Sequence, residues 1–151
     1  MIKIVTKYEL IDKQSWSNFV RNHAQGNVFQ TPEMYEVYQC AEKIRPYVVA
    51  VVCDGEVIGV LVGQWMANGG KLGAWLTSRS IVMGGPLVKD NNAEVVDMLI
   101  NAYRSILPIK TIYTEIRPVY DSVQLFMHLS QSKWIRIGHY NIILPLNKEI
   151  E

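Results

Sequence analysis

The chain has 151 residues, 49% of them hydrophobic, which suits one domain with a packed core and excludes a disordered protein. Fifteen basic residues against fourteen acidic ones give a net charge of +1, which argues against a surface that coats DNA. The two cysteines, Cys40 and Cys53, form no CxxC pair, and no cluster of ligand residues predicts a metal site. We expect free thiols in a cytoplasmic protein. The longest apolar runs, such as 48–53, are far shorter than the roughly 20 residues of a transmembrane helix.

The first third of the chain predicts one strand and two helices. Residues 2–8 predict a short strand rather than the apolar region of a signal peptide. Asp12 is a good N-cap for a helix that ends near Gly26. Thr31 caps a second helix, whose apolar residues continue to Ile44.

The remainder predicts a hairpin, a third strand, a crossover helix and a parallel strand. Asp54-Gly55 is a strong turn signal between two valine-rich runs. Asn91 or Asn92 caps the amphipathic crossover helix, and a right-handed crossover makes 77–82 and 111–117 parallel neighbours. The predicted elements are strands 47–53, 56–65 and 72–82, a helix to about 106, strand 111–117, helix 122–130 and a strand-like segment 134–146.

The elements follow the order β-α-α-β-β-β-α-β-α-β. This order predicts an α/β (α+β) fold with a mixed sheet, antiparallel at first and parallel late, and helices on both faces. Residues 77–88 are central to it, because a strand there opens through Gly84 and Gly85 toward a helix. The carboxyl end of such a strand is a common ligand site in open α/β sheets.

This order resembles the fold of the GNAT acyltransferases over nearly the whole chain, as a single domain of residues 1–147. In that family a glycine-containing turn and a helix N-terminus hold the pyrophosphate of acyl-coenzyme A, and Gly84 and Gly85 occupy the corresponding junction. The family pattern is Gln/Arg-x-x-Gly-x-Gly/Ala. Here the glycines follow Arg79 at a different spacing, and Pro86 lacks an N–H donor. We therefore expect no coenzyme A and no other cofactor.

Several segments resemble the FemAB family more closely. Phe29-Gln30-Thr31-Pro32, within 26–35, looks like the family's Phe/Leu-Gln-Ser/Thr-Pro opening. Residues 78–87 look like its arginine-to-Gly-Pro segment, and 113–117 and 139–144 resemble later strands. FemAB proteins carry two GNAT-like halves and transfer an amino acid from aminoacyl-tRNA to a peptidoglycan precursor. The resemblance covers about the first half, so 148–151 are expected to be a tail or the start of a second half.

The resemblance and the topology together predict a groove at one end of the sheet. No catalytic residue is identified beyond Glu115, a candidate general base. Arg79 has two interpretations: a clamp for a phosphate or carboxylate, or an ion pair with Glu115 on the neighbouring strand, which is the commoner outcome. The expected substrate-binding residues are Phe29, Gln30, Tyr35, Tyr38, Arg79, Ser80, Gly84, Gly85 and Arg117. For each tyrosine taken alone, packing against the edge of the sheet is the commoner outcome.

The function implied by the resemblance is acyl or aminoacyl transfer, with a cell-wall or exopolysaccharide precursor as the acceptor. Aminoacyl-tRNA would be reached through the second half, so the isolated chain is expected to be inactive. The alternative is a non-catalytic GNAT-like module for binding or assembly.

Overall fold

The computed structural model describes residues 1–69, 71–120, 125, 128, 129, 134, 135 and 137. The predicted helix over 122–130 and strand over 134–146 fall almost entirely outside these residues. Within them the chain forms six strands and four α-helices: β1 Ile2–Val5, α1 Lys13–Asn22, α2 Pro32–Gln39, β2 Ile44–Cys53, β3 Glu56–Met66, α3 Lys71–Thr77, β4 Arg79–Met83, β5 Leu87–Val88, α4 Ala93–Ile106 and β6 Tyr113–Arg117. Short 3-10 helices span Tyr8–Leu10, Val28–Gln30 and Lys89–Asn91.

The strands form one mixed sheet in the order β1-β2-β3-β4-β6, and β5 pairs with β3. Every pairing is antiparallel except β4 with β6, where Arg79 lies opposite Tyr113 and Ile81 opposite Glu115. The predicted mixed sheet is therefore confirmed, and so is the parallel pairing across the crossover helix α4.

The predicted helix caps are also confirmed. The Asp12 side chain accepts a hydrogen bond from the Ser15 N–H, and Thr31 Oγ1 accepts one from the Met34 N–H at 3.2 Å. Asn92, one of the two predicted candidates, caps α4. Such caps are readable from sequence because the side chain and the free N–H groups it satisfies lie within a few residues of each other.

Helices cover both faces of the sheet, as predicted. On one face α1 and α2 pack against it through Trp16, Val20 and Tyr35. On the other, Leu99 and Tyr103 of α4 are completely or almost completely buried. Burial of each such side chain contributes about 1.5–3 kcal/mol to folding. No helix of the described part of the chain is both long and apolar enough to cross a membrane.

The two largest errors in the predicted boundaries concern the third strand and the second helix. The third strand was expected over 72–82, but Lys71–Thr77 is helical and β4 begins only at Arg79. A short apolar run does not distinguish a helix from a strand by periodicity alone. Helix α2 ends at Gln39, and Ile44 belongs to β2. Strand β1 pairs with β2 only from position 50 onward, so Pro46 lies where β2 is an edge strand, a position in which proline is tolerated.

Candidate functional site

The glycine turn is not the junction between strand and helix that the sequence suggested. Gly84, Gly85 and Pro86 interrupt a strand that returns to the sheet, because β4 and β5 both pair with β3. Leu87 and Val88 are buried, and their burial favours continued contact with the sheet over immediate helix formation. The helix α4 begins seven residues after Pro86, at Ala93.

Both glycines adopt backbone conformations that other residues rarely tolerate, with φ of +80° at Gly84 and +73° at Gly85. A Cβ at Gly84 would also come within 2.5 Å of the Asn27 side-chain oxygen. The Gly84 N–H donates a hydrogen bond to the Arg117 carbonyl at 2.9 Å. The turn is thereby attached to the carboxyl end of β6.

Gln30 holds the turn from the other side. Its side chain is fully buried, and Nε2 donates hydrogen bonds to the carbonyls of Gly84 and Gly85, each at 3.0 Å. Its Oε1 accepts the Asn27 N–H at 3.1 Å, and its backbone carbonyl accepts the Trp16 indole N–H at 2.7 Å. Both N–H donors of the Gln30 amide are thus used within the protein. Gln30, a predicted substrate-binding residue, is therefore buried behind the turn and supports it.

The orientation of the Gly84 carbonyl also sets that of the next N–H. In a trans peptide the two groups point in opposite directions, and none of the described peptide bonds is cis. Because the Gly84 carbonyl points at Gln30, the Gly85 N–H points away from it. Within the described part of the chain, no backbone hydrogen bond engages this N–H. Gln30 therefore fixes the orientation of the peptide between the two glycines.

Two residues that sequence reasoning did not single out for the site complete the turn. Asn27 packs against Gly84 and caps the 3-10 helix by accepting the Phe29 N–H at 3.1 Å. The Tyr120 hydroxyl donates to the Pro86 carbonyl at 2.8 Å, and burial raises the pKa of Tyr120 to about 12, so it remains a donor at neutral pH. Asn27 was visible only as a residue suited to turns. No local pattern indicated Tyr120.

One face of the β4–β6 pair carries the charged candidates, with Arg117 at the end beside the turn and Arg79 at the other end. The register places Tyr113, Glu115 and Arg117 of β6 alongside alternate residues of β4, which include Arg79. Arg117 donates two hydrogen bonds to Glu115, at 2.8 and 2.9 Å, and both side chains are about 40% exposed. The hydrogen bonds that Arg117 donates to Glu115 raise the pKa of its guanidinium.

The expected ion pair between Arg79 and Glu115 is wrong. Glu115 is instead held by Arg117, two residues further along the same strand and on the same face. Arg79 lies opposite Tyr113, one step away from Glu115 in the register. The Arg79 side chain is half-buried at the start of β4, so it lies at the end of the strand opposite the glycine turn.

The other predicted residues separate into two groups. Phe29 is half-buried in the 3-10 helix beside the turn. Ser80 lies on the opposite face, fully buried, with its Oγ 2.6 Å from the Tyr103 hydroxyl oxygen. Tyr35 is buried and stacks on Tyr8 with ring centroids 4.4 Å apart, and Tyr38 packs against the same core cluster. The fold therefore brings together Gln30, Gly84, Gly85 and Arg117, and directs Ser80, Tyr35 and Tyr38 into packing.

The N-terminus of α4 is where a GNAT enzyme would meet a pyrophosphate. Here the Asn92 Oδ1 already accepts the N–H groups of Glu94 and Val95, at 2.9 and 3.3 Å. Asp90 and Glu94 add two carboxylates to this end. A bound pyrophosphate would have to displace the cap and tolerate both negative charges, which disfavours an anion at this helix.

Comparison with known proteins identifies the fold. No family model and no curated protein matches the sequence. Among solved structures, FemX matches with a TM-score of 0.67 and 22% identity over 86% of this chain. The aminoglycoside N-acetyltransferase AAC(6')-Iy, in complex with CoA, matches with a TM-score of 0.66 and 11% identity, covering 97% of this chain and 95% of its own.

The chain has a GNAT-like fold. A ribosomal-protein-alanine N-acetyltransferase from Brucella melitensis biovar Abortus 2308 has the same fold, with a TM-score of 0.55 and 10% identity over 95% of this chain and all of its own. The match with FemX differs in extent, because it covers only 31% of the FemX chain. This GNAT-like chain therefore spans about a third of the length of FemX.

Proposed function

We propose that this chain is the acceptor-side half of an acyl- or aminoacyl-transferase of FemAB/GNAT type, with a cell-wall or exopolysaccharide precursor as the acceptor. One observation carries the proposal. The two sequence segments that most resemble the FemAB family meet in space, since Gln30 of the first donates hydrogen bonds to both glycines of the second. The likeness to FemX over 86% of this chain supports the same relationship.

The chemistry of such a transfer asks little of side chains. The donor is an activated ester, and an amine acceptor attacks its carbonyl once it is aligned and deprotonated. Positioning alone accounts for a large part of the rate in such reactions. A turn held by Gln30, Asn27 and Tyr120 provides rigid positioning, because its carbonyls have fixed partners.

The groove beside the turn offers one guanidinium to a phosphate or carboxylate of the acceptor. Arg117 lies at the carboxyl end of β6, where its carbonyl accepts the Gly84 N–H, and its side chain is 44% exposed. A bound anion would share this guanidinium with Glu115. Arg79 and Tyr113 lie at the other end of the two strands. Arg117 is therefore the first choice for an anion contact.

Glu115 remains a candidate general base, and its hydrogen bonds with Arg117 bear on that role. Both of its carboxylate oxygens accept from Arg117. Each oxygen keeps a second lone pair, on which it could accept a proton from the acceptor amine. The pair also suits a second role, in which Arg117 orients Glu115 toward the groove.

Titration of the chain with a nucleotide-linked muropeptide tests the acceptor site. Arg117→Ala is expected to weaken binding about ten- to a hundredfold, the equivalent of one charge-assisted hydrogen bond, with little change in melting temperature because its ion pair with Glu115 is partly exposed. Arg104→Ala, an exposed change on α4, serves as the matched control and should leave affinity unaltered. A large loss of stability with unchanged affinity in Arg117→Ala would remove this residue from the site.

An activity assay tests the proposal that the chain is one half of the transferase. With charged tRNA and a cell-wall precursor, the isolated chain is expected to form no product, because the proposed donor site belongs to a second half. Product formation by these 151 residues alone would contradict the proposal. If the full open reading frame encodes a second GNAT-like half, the transferase is favoured.

The alternative is a non-catalytic GNAT-like module for binding or assembly. The occupied donors at the N-terminus of α4, and the carboxylates of Asp90 and Glu94, favour it over an ordinary acetyltransferase. Calorimetric titration with acetyl-coenzyme A is expected to give no saturable heat. Micromolar affinity would support a coenzyme A-dependent enzyme instead.

A further inference from the structure

The end of the sheet opposite the glycine turn forms a surface that we name the open rim, made of residues 42–45, 66–69, 75–79 and 108–113. Four strands meet there in one row, in which Ile44, Met66, Arg79 and Tyr113 lie side by side. Hydrogen bonds attach the adjoining segments to it. The Ser78 carbonyl accepts the Ile112 N–H at 3.0 Å, and Thr77 Oγ1 accepts the Asn68 N–H at 2.8 Å.

Large apolar side chains are exposed around this rim. Trp75 and Leu76 of α3 are each about 70% exposed, and Ile109 makes essentially no contact with the rest of the chain. Ile112 and Tyr113 are each just over half exposed. Soluble proteins expose scattered apolar residues without consequence, but a group this dense at one end of a domain marks an interaction surface.

Basic side chains surround the apolar group. Lys110 and Arg45 lie over the ring of the buried Trp65, with Nζ 5.0 Å and Cζ 6.0 Å from its centroid. These cation–π contacts hold both charges at the rim. Lys43 and Arg79 add two more cations. The four segments contain a single acidic residue, Glu42, although acidic and basic residues are nearly balanced in the whole chain.

We propose that the open rim binds the surface of an anionic lipid bilayer. Exposed tryptophan, tyrosine and aliphatic side chains enter the boundary between headgroups and acyl chains, while nearby lysines and arginines contact anionic headgroups. This surface is separate from the glycine turn, which lies at the other end of β4. A chain bound in this way would keep the proposed groove away from the bilayer by the length of the strand.

Other partners fit the rim less well. Trp75 and Tyr113 could stack on nucleic-acid bases, but the aliphatic Leu76, Ile109 and Ile112 gain nothing from bases or a phosphate backbone. The core of a protein interface is depleted of lysine, whereas Lys43 and Lys110 lie among the apolar residues here. A lipid surface uses both kinds of side chain together.

Cosedimentation of the 151-residue chain with vesicles tests the proposal. We expect binding to vesicles made of equal parts phosphatidylglycerol and phosphatidylcholine to be at least about tenfold stronger than to pure phosphatidylcholine, and to weaken with added salt. The same binding to both vesicle types would overturn the proposal, and so would no binding to either.

Matched variants separate the apolar and the charged contributions. Trp75→Ser with Leu76→Ser should weaken vesicle binding about tenfold or more, whereas Leu10→Ser with Val37→Ser, equally exposed but outside the rim, should not. Lys43→Glu with Lys110→Glu should weaken it about 25-fold or more, at about fivefold for each cation. Lys7→Glu with Lys89→Glu makes the same charge change elsewhere and should have a much smaller effect.

Two further outcomes would overturn the proposal in favour of another partner. In the first outcome, the chain binds a single-stranded RNA oligonucleotide tightly, and Lys43→Glu with Lys110→Glu abolishes this binding. In the same outcome, Trp75→Ser with Leu76→Ser leaves vesicle binding unchanged. The second is a dimer in sedimentation equilibrium that the same double variant dissociates, with no vesicle binding by the wild type. The first would make the rim a nucleic-acid surface, and the second a contact between copies of the chain.

Discussion

The two ends of the sheet differ in how their polar and apolar groups are satisfied. At the glycine turn, Gln30 is completely buried and its side chain makes three hydrogen bonds. At the open rim, Trp75 and Leu76 are largely exposed and Ile109 contacts nothing. The polar groups of the turn have partners within the protein, whereas the apolar side chains of the rim are exposed and available to a partner molecule.

This difference indicates which end suits which role. A transfer reaction needs atoms held to within a fraction of an ångström, and buried hydrogen bonds with fixed partners provide that precision. A docking surface needs exposed area and charge instead, and it can be built from side chains that add little to stability. The four predictions below test how far the two ends differ, beginning with the largest expected effect.

Gln30→Leu should destabilise the fold most. It leaves the Gly84 and Gly85 carbonyls and the Asn27 N–H without their partner in a buried place, at about 1–3 kcal/mol for each group. We expect a loss of about 3 kcal/mol or more in the free energy of unfolding, measured by urea denaturation. Gln39→Leu, at the exposed end of α2, is the control and should change stability by about 0.5 kcal/mol at most. Equal effects of the two changes would mean that the turn is not held by Gln30.

Gly84→Ala should cost about 2–3 kcal/mol, because it combines an unfavourable φ with a 2.5 Å approach to the Asn27 oxygen. Gly55→Ala separates the two causes. Gly55 has a φ of +91° but open space around it, so this change should cost only about 1 kcal/mol. Thermal unfolding of both variants measures the difference. If the two costs are the same, Asn27 moves aside freely and the turn is looser than its contacts imply.

Between the two ends, an exposed tie joins α1 to α2, and its contribution should depend on pH. Lys13, and then Tyr8, donate hydrogen bonds to Glu36 and lower the pKa of its carboxyl below the ordinary value of 4.5. A carboxyl whose pKa is lower in the folded state stabilises the fold above the unfolded-state pKa, and this stabilisation disappears as pH falls through the folded value. The melting temperature of the wild type should exceed that of Glu36→Gln at pH 6, and the difference should shrink below about pH 4. A difference that grows on acidification would contradict the assigned direction.

Trp75→Ser with Leu76→Ser should have the smallest effect on stability, within about 0.5 kcal/mol, because both side chains are mostly exposed. Urea denaturation measures it under the same conditions as for Gln30→Leu. A loss above about 1 kcal/mol would show that these residues are packed in solution, and the contrast between the two ends would then fail.

Local patterns in the sequence were enough to predict much of the fold. Asp12, Thr31 and Asn92 are caps whose partners lie two or three residues away. Asp54-Gly55 makes the hairpin turn with positive φ at both positions, as the dipeptide predicts. The amphipathic pattern of α4 required a crossover, and a crossover helix makes the strands on either side of it parallel. Each inference rests on residues close together in the chain or on a rule of chain handedness.

The details of the candidate site depended on tertiary structure. Gln30 reaches carbonyls 54 and 55 residues away, and no local pattern distinguishes a glutamine that binds a ligand from one that fastens a turn. Sequence reasoning paired Glu115 with Arg79, but the register places Arg79 opposite Tyr113, and Arg117 binds the carboxylate instead. The apolar run in α3 is compatible with a strand as well as a helix. It lies beyond Met66, the last residue of β3, so β3 offers it no strand to pair with. Composition, caps and turns thus determined which elements form, because their causes are local, whereas the long-range pairing of strands decided which side chains meet.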